Sequence, residues 1–330
     1  GVKAVPLCVR EHVGVFVVSH MCEFMVSGSN ALELLQFTTS NNVTALAVGD
    51  AQYGYMPNAH GGVVDDLLIY RLNNNTYMLV VNASNIEKDW QWLSDQNKSF
   101  GARLTNESDA YALLAVQGPK AHKLMREVTS VDTASQKGFS IAQHAVAGVS
   151  DVWIATTGYT GAGGVELYVP VAQVAQVWES LLKSGEPYQI QPIGLAARDT
   201  LRLEMGYCLY GNELTDTTSP IAARLTWCTH VDKSFVGEDS IKRDKSKGTA
   251  QLRVGLTMIE RGIPRQGYAL VDGNGTSIGV ITSGTSSPSL GVGIGMGYVD
   301  RNFAKVGTEI YVRIREKNIK ARITRLPFVS

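Results

Sequence analysis

Residues 65–82 read DDLLIYRLNNNTYMLVVN. Two largely apolar runs, Asp65–Tyr70 and Tyr77–Asn82, are separated by three asparagines, whose side chains tolerate the left-handed backbone of a tight turn. The stretch therefore predicts an antiparallel hairpin. Similar strand pairs alternate with helical patterns as far as Met205. This order favours an α+β fold with antiparallel sheets over a doubly wound parallel sheet.

Local signals place the first elements. The apolar stretch Val13–Val18 predicts a strand that enters a fold already under way. A helix is expected over Asn30–Phe37, with Ser29 as its N-cap. Ser84 and Glu87 have the spacing of a capping box and predict the start of another helix.

The chain changes character near its last quarter. Beyond Thr249 only short strands between glycine-rich turns are predicted, which indicates a small β-barrel or sandwich. The polar run Lys242–Lys247 is the expected linker. We therefore predict two intertwined α+β subdomains over residues 1–245 and a C-terminal β-barrel domain over 246–330. Glycines at every second position from Gly291 to Gly297 predict a barrel strand with one bare face.

Composition excludes several classes of protein. The 330 residues carry 30 basic and 30 acidic side chains, so no excess charge favours nucleic acid or an anionic membrane. No apolar run reaches the ~18 residues of a membrane span. The four cysteines form no CxxC pair and have no zinc-like spacing, so we expect reduced packing residues and no metal site. A bacterial cytoplasmic enzyme fits best, with the mitochondrial matrix as the alternative.

Asp65 and Asp66 are the most suggestive acidic pair. Successive strand residues point to opposite faces, so Asp66 shares a face with Leu68 and Tyr70, and Asp65 with the intervening residues. Only one of them can enter a pocket, and the pattern alone does not decide which. The alternative is an ion-paired strand start at a sheet edge.

Two further segments could serve a ligand. Four glycines fall within Gly158–Gly164, with the aromatic Tyr159 near the start of the segment and the carboxylate of Glu166 after its end, and would let a backbone approach a ligand closely. The alternative is a plain glycine hairpin. Arg198 and Arg202 lie one turn apart on the predicted helix Gly194–Met205, which could equally be a surface helix with an Asp199–Arg202 pair.

A series of short motifs runs along the chain in a fixed order. They include VSHM at 18–21, GGVVDDL at 61–67, VVNASNIEKD at 80–89, VQGP at 116–119, TGYTG at 157–161, ARDTLRLE at 197–204, LYGN at 209–212 and ITSG at 281–284. Together they resemble the aminomethyltransferase, or T-protein, family of the glycine cleavage system. The resemblance covers essentially the whole chain, although the family's N-terminal region is expected to be largely missing.

The resemblance implies a three-domain cloverleaf around a folate channel, the last domain being a small β-barrel. It also implies transfer of the methylene carbon from the aminomethyl-lipoyl group of the partner H-protein to tetrahydrofolate, releasing ammonia and leaving 5,10-methylenetetrahydrofolate. A pterin edge presents paired N–H donors, which a buried carboxylate can accept. By the resemblance Asp66 is catalytic and Glu166 and Arg198 bind folate. The implied walls of the folate pocket are Tyr53, Leu68, Tyr70, Asn82, Tyr159 and Tyr207.

Two alternatives share the fold. One is a non-catalytic folate-binding relative of the iron–sulfur-assembly type, whose motif is matched only in part by GYCLYGN at 206–212. The other is a folate-dependent demethylase, which would take its carbon from a different donor.

Overall fold

The computed structural model describes residues 4–329. The described residues form seven α-helices: α1 (Ala4–Glu11), α2 (Ala31–Thr38), α3 (Ile86–Asn97), α4 (Ala121–Val128), α5 (Val174–Gly185), α6 (Leu195–Glu204) and α7 (Glu238–Lys247). The strands are β1 (Val13–Val17), β2 (Cys22–Ser27), β3 (Ala51–Pro57), β4 (Val63–Asn73), β5 (Thr76–Val81), β6 (Arg103–Asn106), β7 (Tyr111–Gln117), β8 (Ile141–Val146), β9 (Val149–Ala155), β10 (Gly164–Pro170), β11 (Ile190–Pro192), β12 (Gln251–Met258), β13 (Ala269–Val271), β14 (Ser277–Ser286), β15 (Gly293–Asp300), β16 (Glu309–Ile314) and β17 (Lys317–Thr324).

The chain divides into two compact units. The first comprises residues 4–56, 64–198 and 233–235, and the second comprises 57–63, 199–232 and 236–329. The predicted division at residues 245 and 246 stays a prediction.

The hairpin at residues 65–82 lies in a five-stranded sheet of order β3-β4-β5-β2-β6. β4 and β5 pair antiparallel, with Leu68 opposite Val80 and Tyr70 opposite Met78, as the asparagine turn predicts. One face of the sheet packs on helices α2 and α3 through an apolar cluster. Helix α2 contributes Ala31, Leu34 and Leu35 to this cluster and also buries Thr38, a spacing that places these side chains on one helical face.

A six-stranded sheet of order β11-β1-β7-β10-β9-β8 completes the first unit. Its strands pair antiparallel except for β1 and β11, which pair parallel. One face packs on α4 and α5, through residues that include Leu167, Leu124 and Leu181. Because strand side chains alternate, Glu166 and Tyr168 of β10 belong to the opposite face from Leu167.

The second unit contains a closed barrel of order β12-β15-β14-β13-β16-β17, which confirms the predicted β-barrel. Its core is a cluster of buried aliphatic side chains such as Leu256, Leu270 and Val312. β15 carries Gly293, Gly295 and Gly297, and a Cβ at Gly297 would overlap the Val280 carbonyl oxygen of β14. The bare face therefore allows close strand packing. Gly291 precedes the strand.

Several local predictions are wrong. Helix α1 precedes β1, and no sequence pattern predicted it. Asn30, not Ser29, precedes α2, and the Asn30 side chain donates to the Phe100 carbonyl instead of capping the helix.

The expected capping box and linker are also absent from the places predicted for them. A 3₁₀ turn occupies Ala83–Asn85, so α3 begins at Ile86 and Asn85, not Ser84, stands at its N-cap position. The expected linker Lys242–Lys247 is the second half of helix α7. That helix has acidic residues in its first turn and lysines in its last, an arrangement that the helix dipole favours.

Composition led to predictions about the cysteines and about membrane-spanning segments. All four cysteines are buried and none forms a disulfide. Among residues 4–329, none of the helices combines the length and apolar character needed to cross a membrane.

Candidate functional site

A chain of hydroxyl groups joins the two sheets of the first unit. The Tyr168 hydroxyl donates to the Tyr70 hydroxyl at 3.1 Å, and the Tyr70 hydroxyl lies 2.8 Å from Oγ1 of Thr157. Thr157 in turn donates from Oγ1 to Oε2 of Glu166. Tyr70 belongs to the five-stranded sheet and Tyr168 and Glu166 to the six-stranded sheet, so their free faces meet here.

The carboxyl group of Glu166 is buried at the end of this chain. Burial raises the pKa of Glu166, while the Thr157 hydrogen bond and the nearby Arg198 charge act in the opposite direction. A buried carboxyl held on one side by a hydroxyl can accept paired N–H donors from a ligand on the other.

Asp66 lies on the same face of β4 as Tyr70. The Tyr53 hydroxyl donates to Oδ2 of Asp66 at 2.8 Å, and Nδ2 of Asn82 donates to its Oδ1 at 3.0 Å. Burial raises the pKa of Asp66 and the neighbouring Asp65 charge raises it further, against the lowering effect of these two hydrogen bonds. Such a carboxyl group exchanges protons closer to neutral pH than an ordinary aspartate does.

Asp65 points to the helix side of the sheet and is fully buried. It accepts hydrogen bonds from the backbone N–H and Nδ2 of Asn82, at 3.1 and 2.8 Å, and from Nδ2 of Asn85 at 2.7 Å. The alternative interpretation, an ion-paired strand start at a sheet edge, is therefore wrong for Asp65: its hydrogen-bond donors are the neutral side chains and backbone of Asn82 and Asn85, and β4 lies between β3 and β5. The two carboxyl groups lie on opposite faces as the pattern predicts, yet the Asn82 side chain contacts both.

The glycine segment before β10 is more than a plain hairpin. Gln117 lies under it, donating from Nε2 to the Thr157 carbonyl at 3.3 Å and accepting from Oγ1 of Thr160 at 2.8 Å. A Cβ at Gly158 would overlap the Gln117 side chain. A side chain at position 158 would displace that of Gln117, so the glycine lets the segment lie close to β7.

The two arginines of helix α6 have different surroundings. The Arg198 guanidinium stacks on the Tyr159 ring, 4.5 Å from its centroid, within the first unit. Arg202 belongs to the second unit and is 0% exposed, bound to Glu213 at 2.7 Å and to Asp199 at 2.7 Å. The expectation of a surface helix is therefore wrong at Arg202, although the Asp199–Arg202 pair is present.

Most of the predicted site residues lie in the same unit as Glu166, and one lies in the other unit. Seven of them share the first unit with Glu166: Tyr53, Asp66, Leu68, Tyr70, Asn82, Tyr159 and Arg198. Tyr207 lies in the second unit and is 36% exposed, and its place in the pocket stays a prediction.

Sequence reasoning missed several groups at the site. Thr157 has no signal of its own within the motif TGYTG. Tyr168 follows Glu166 by two residues on the same strand face, a spacing that could have identified it. Glu23 of β2 is opposite Val80 of β5, which is opposite Leu68 of β4. Paired residues share a face, so Glu23 lies on the face that carries Asp66.

Glu23 is unusual for its burial. It is 1% exposed, and neither of its carboxyl oxygens has a hydrogen-bond partner in the described part of the chain. Burial raises its pKa to about 8. Its neighbours on both sides in the strand are ordinary apolar residues. The sequence therefore contains no signal that distinguishes this glutamate from one on a protein surface.

Comparison with known proteins gives consistent matches over the whole chain. Residues 2–233 match the GCVT N-terminal domain, and residues 252–330 match the glycine cleavage T-protein C-terminal barrel domain. The aminomethyltransferase of Flavobacterium psychrophilum is 50% identical over 328 residues, covering 99% of this chain and 91% of that protein. That of Halothermothrix orenii is 45% identical over 322 residues, covering 97% and 89%.

A solved structure extends the comparison to the fold. The crystal structure of glycine cleavage system aminomethyltransferase T from Bartonella henselae matches with a TM-score of 0.93 and 34% identity. The match covers 100% of this chain and 90% of that one.

Proposed function

The chain belongs to the aminomethyltransferase family of the glycine cleavage T-protein, and we propose that its first unit binds tetrahydrofolate and transfers a methylene carbon to it. In the proposed reaction an aminomethyl group on a dihydrolipoyl sulfur gives its carbon to two folate nitrogens. Those nitrogens lose two protons, one of which ends on the sulfur and one on the departing ammonia. No electrons are exchanged with an external partner, so the chemistry consists of proton transfers and C–N and C–S bond changes.

The observation that carries the proposal is the position of Glu166 on one sheet, near the Arg198 charge of helix α6, with Asp66 on the facing sheet. Glu166 would accept the paired N–H donors of the pterin edge, since Thr157 occupies only one of its oxygens. Arg198, whose guanidinium stacks on Tyr159, would hold the anionic part of the folate or cover its ring. Tyr53, Leu68, Tyr70 and Asn82 would wall the pocket on the side of the five-stranded sheet.

Asp66 is proposed as the catalytic residue. A carboxylate there would accept a proton from the folate nitrogen that attacks the carbon and would stabilise the positive charge that develops as ammonia leaves. Its raised pKa suits both tasks, because the group can take up and return a proton near neutral pH. Tyr53 and Asn82 would hold the carboxyl group in the required orientation.

The donor would be the lipoyl arm of an H-protein, because the aminomethyl group needs a carrier that brings it to the buried folate. We also propose the bacterial cytoplasm as the location, on the grounds of the bacterial relatives.

The proposal is tested by mixing the protein with aminomethylated H-protein, with and without tetrahydrofolate, and measuring ammonia and methylenetetrahydrofolate. We expect both products in equal amounts and only when folate is present. A matched control replaces Glu179, an exposed glutamate of α5, by glutamine and should keep full activity. Folate binding without turnover, or no folate binding at all, would contradict the proposed function.

A further inference from the structure

Helix α3 carries a buried acid that the reaction does not use directly. Asp89 is 0% exposed, and neither carboxyl oxygen accepts a hydrogen bond from an N–H or O–H donor among residues 4–329. Asp89 lies one helical turn after Asn85, whose Nδ2 donates to Asp65 at 2.7 Å, so Asp89 faces the same carboxyl group and can donate to it when protonated. An ionised Asp89 would be a buried charge without a donor, which is costly.

Asp65 has the opposite surroundings, because three N–H donors from Asn82 and Asn85 point at its oxygens. Two carboxyl groups in contact in a low-dielectric interior share one proton, and it resides on the group with fewer donors. Burial is the main cause that raises the pKa of Asp89, followed by the hydrogen bond to Asp65, its charge and that of Asp66. The Lys88 charge acts in the opposite direction.

We propose that Asp89 is a positioning residue for Asp66: it keeps a proton on its buried carboxyl group and donates it to Asp65, which fixes the Asn82 side chain that contacts Asp66. The proposal rests on the catalytic role proposed for Asp66. The path has three links, Asp89 to Asp65, Asp65 to Asn82 and Asn82 to Asp66. It connects the helix side of the sheet to the ligand side.

Removal of the Asp89 donor changes the surroundings of Asp65 and, through Asn82, those of Asp66. Without this donor, Asp65 faces an apolar surface at the place where it accepts a hydrogen bond in the wild type. Asp65 then holds the Asn82 amide less firmly. Asp66 then loses a fixed donor, so its orientation and its proton affinity both change. A misplaced catalytic group lowers the turnover number more than it lowers substrate affinity.

Two variants separate the donor from the charge. Asp89→Asn keeps an N–H donor of nearly the same shape, whereas Asp89→Leu removes it. We expect Asp89→Asn to keep kcat within about threefold of wild type, and Asp89→Leu to lower kcat by roughly 10- to 100-fold with little change in the KM for tetrahydrofolate. The control is Asp95→Asn, on an exposed part of the same helix, which should leave kcat unchanged.

Two further measurements distinguish positioning from simple stability. The pH profile of kcat should shift in Asp89→Leu and stay in place in Asp89→Asn. The infrared spectrum of wild type minus that of Asp89→Asn should contain a protonated-carboxyl band at about pH 8, far above the ordinary aspartate pKa of about 3.9. This readout needs no turnover, so it tests the proton on Asp89 even if the proposed reaction is wrong and if Asp89→Leu does not fold. A carboxylate band in the difference spectrum, or equal losses of kcat in both variants, would overturn the proposal.

Discussion

Glu166 owes its chemistry to its neighbours more than to its residue type. Thr157 occupies one oxygen, Tyr70 and Tyr168 extend the hydrogen-bond chain behind it, and Arg198 supplies a nearby positive charge. A glutamate placed in this way is preorganised as an acceptor, because its orientation is fixed before a ligand arrives.

The first prediction concerns this acceptor. Glu166→Gln replaces an oxygen by an amide donor and should raise the Kd for tetrahydrofolate by roughly 10- to 100-fold, since hydrogen bonds to a charged group contribute about 1.5–3 kcal/mol. Thr157→Val, which removes only the supporting hydroxyl, should have a smaller effect. The Kd is measured by quenching of tryptophan fluorescence. Glu179→Gln makes the same substitution on an exposed surface, and an equal change there would refute the assignment.

Sequence reasoning went furthest for residues that carry the family motifs. Asp66, Glu166 and Arg198 could be named because each lies in a distinctive stretch, and the hairpin pattern fixed the face on which Asp66 lies. Thr157, Asn85 and Asp89 could not be named in the same way. Their roles depend on contacts between residues far apart in the chain, such as Tyr70 with Thr157, and these exist only once the sheets have formed.

At the scale of single elements, strand β2 shows how a sheet can carry an unexpected ionisable group. Glu23 occupies an inward position between apolar neighbours, in the row formed with Val80 and Leu68. The raised pKa makes stability depend on pH, because the folded state keeps a proton that the unfolded state has already released at lower pH.

The second prediction is a dependence of stability on pH caused by Glu23. The unfolded pKa is about 4.5 and the folded pKa about 8, so the contribution of Glu23 to the free energy of unfolding should fall as pH rises from the first value to the second and level off above it. At 1.36 kcal/mol per pKa unit the loss is on the order of 3–5 kcal/mol. Glu23→Gln should abolish this loss, so it should match wild type near pH 4 and exceed it near pH 9.

Urea denaturation at the two pH values measures the difference. The control is Glu33→Gln, an exposed glutamate of α2, which should follow the wild-type dependence. Parallel pH curves for wild type and Glu23→Gln would contradict the buried position of this carboxyl group.

Helix boundaries were the weakest part of the prediction from sequence. The start of α3 was missed because Asn85 is engaged with Asp65, a tertiary contact that overrides the local capping signal. Helix α7 was missed because its composition is that of a linker, whereas its charges are ordered along the helix dipole.

At the scale of the whole molecule, the α+β class, the antiparallel hairpin and the C-terminal barrel were all predictable from the sequence. Alternation of apolar residues and the spacing of glycine turns carry that information, because they reflect the period of a strand and the geometry of its connections. The burial of Arg202 was not predictable, since its partner Glu213 lies beyond the helix in an irregular segment.

The third prediction concerns this buried ion pair of the second unit. Arg202 also donates to Oγ of Ser283 in β14 at 2.8 Å, so it joins helix α6 to the barrel. Arg202→Met leaves Glu213 as an uncompensated buried charge and should destabilise the protein by about 3–5 kcal/mol. Thermal unfolding measures the loss. Arg126→Met breaks an exposed pair with Asp132 and should barely move the transition; equal effects would rule out the structural role of Arg202.

The central claim is that Asp66 handles the proton during carbon transfer, and the most direct measurement is the single-turnover rate of Asp66→Asn with aminomethylated H-protein and saturating tetrahydrofolate. Asparagine keeps the shape of the side chain but cannot accept the proton, so the rate should fall by about 10²- to 10⁴-fold while the Kd for folate changes little. The wild-type rate should also rise with pH, and the midpoint of this rise should lie more than one pH unit above the ordinary aspartate pKa of about 3.9. The rate of Asp66→Asn should lack this rise. A rate within threefold of wild type, with the same pH profile, would contradict the account.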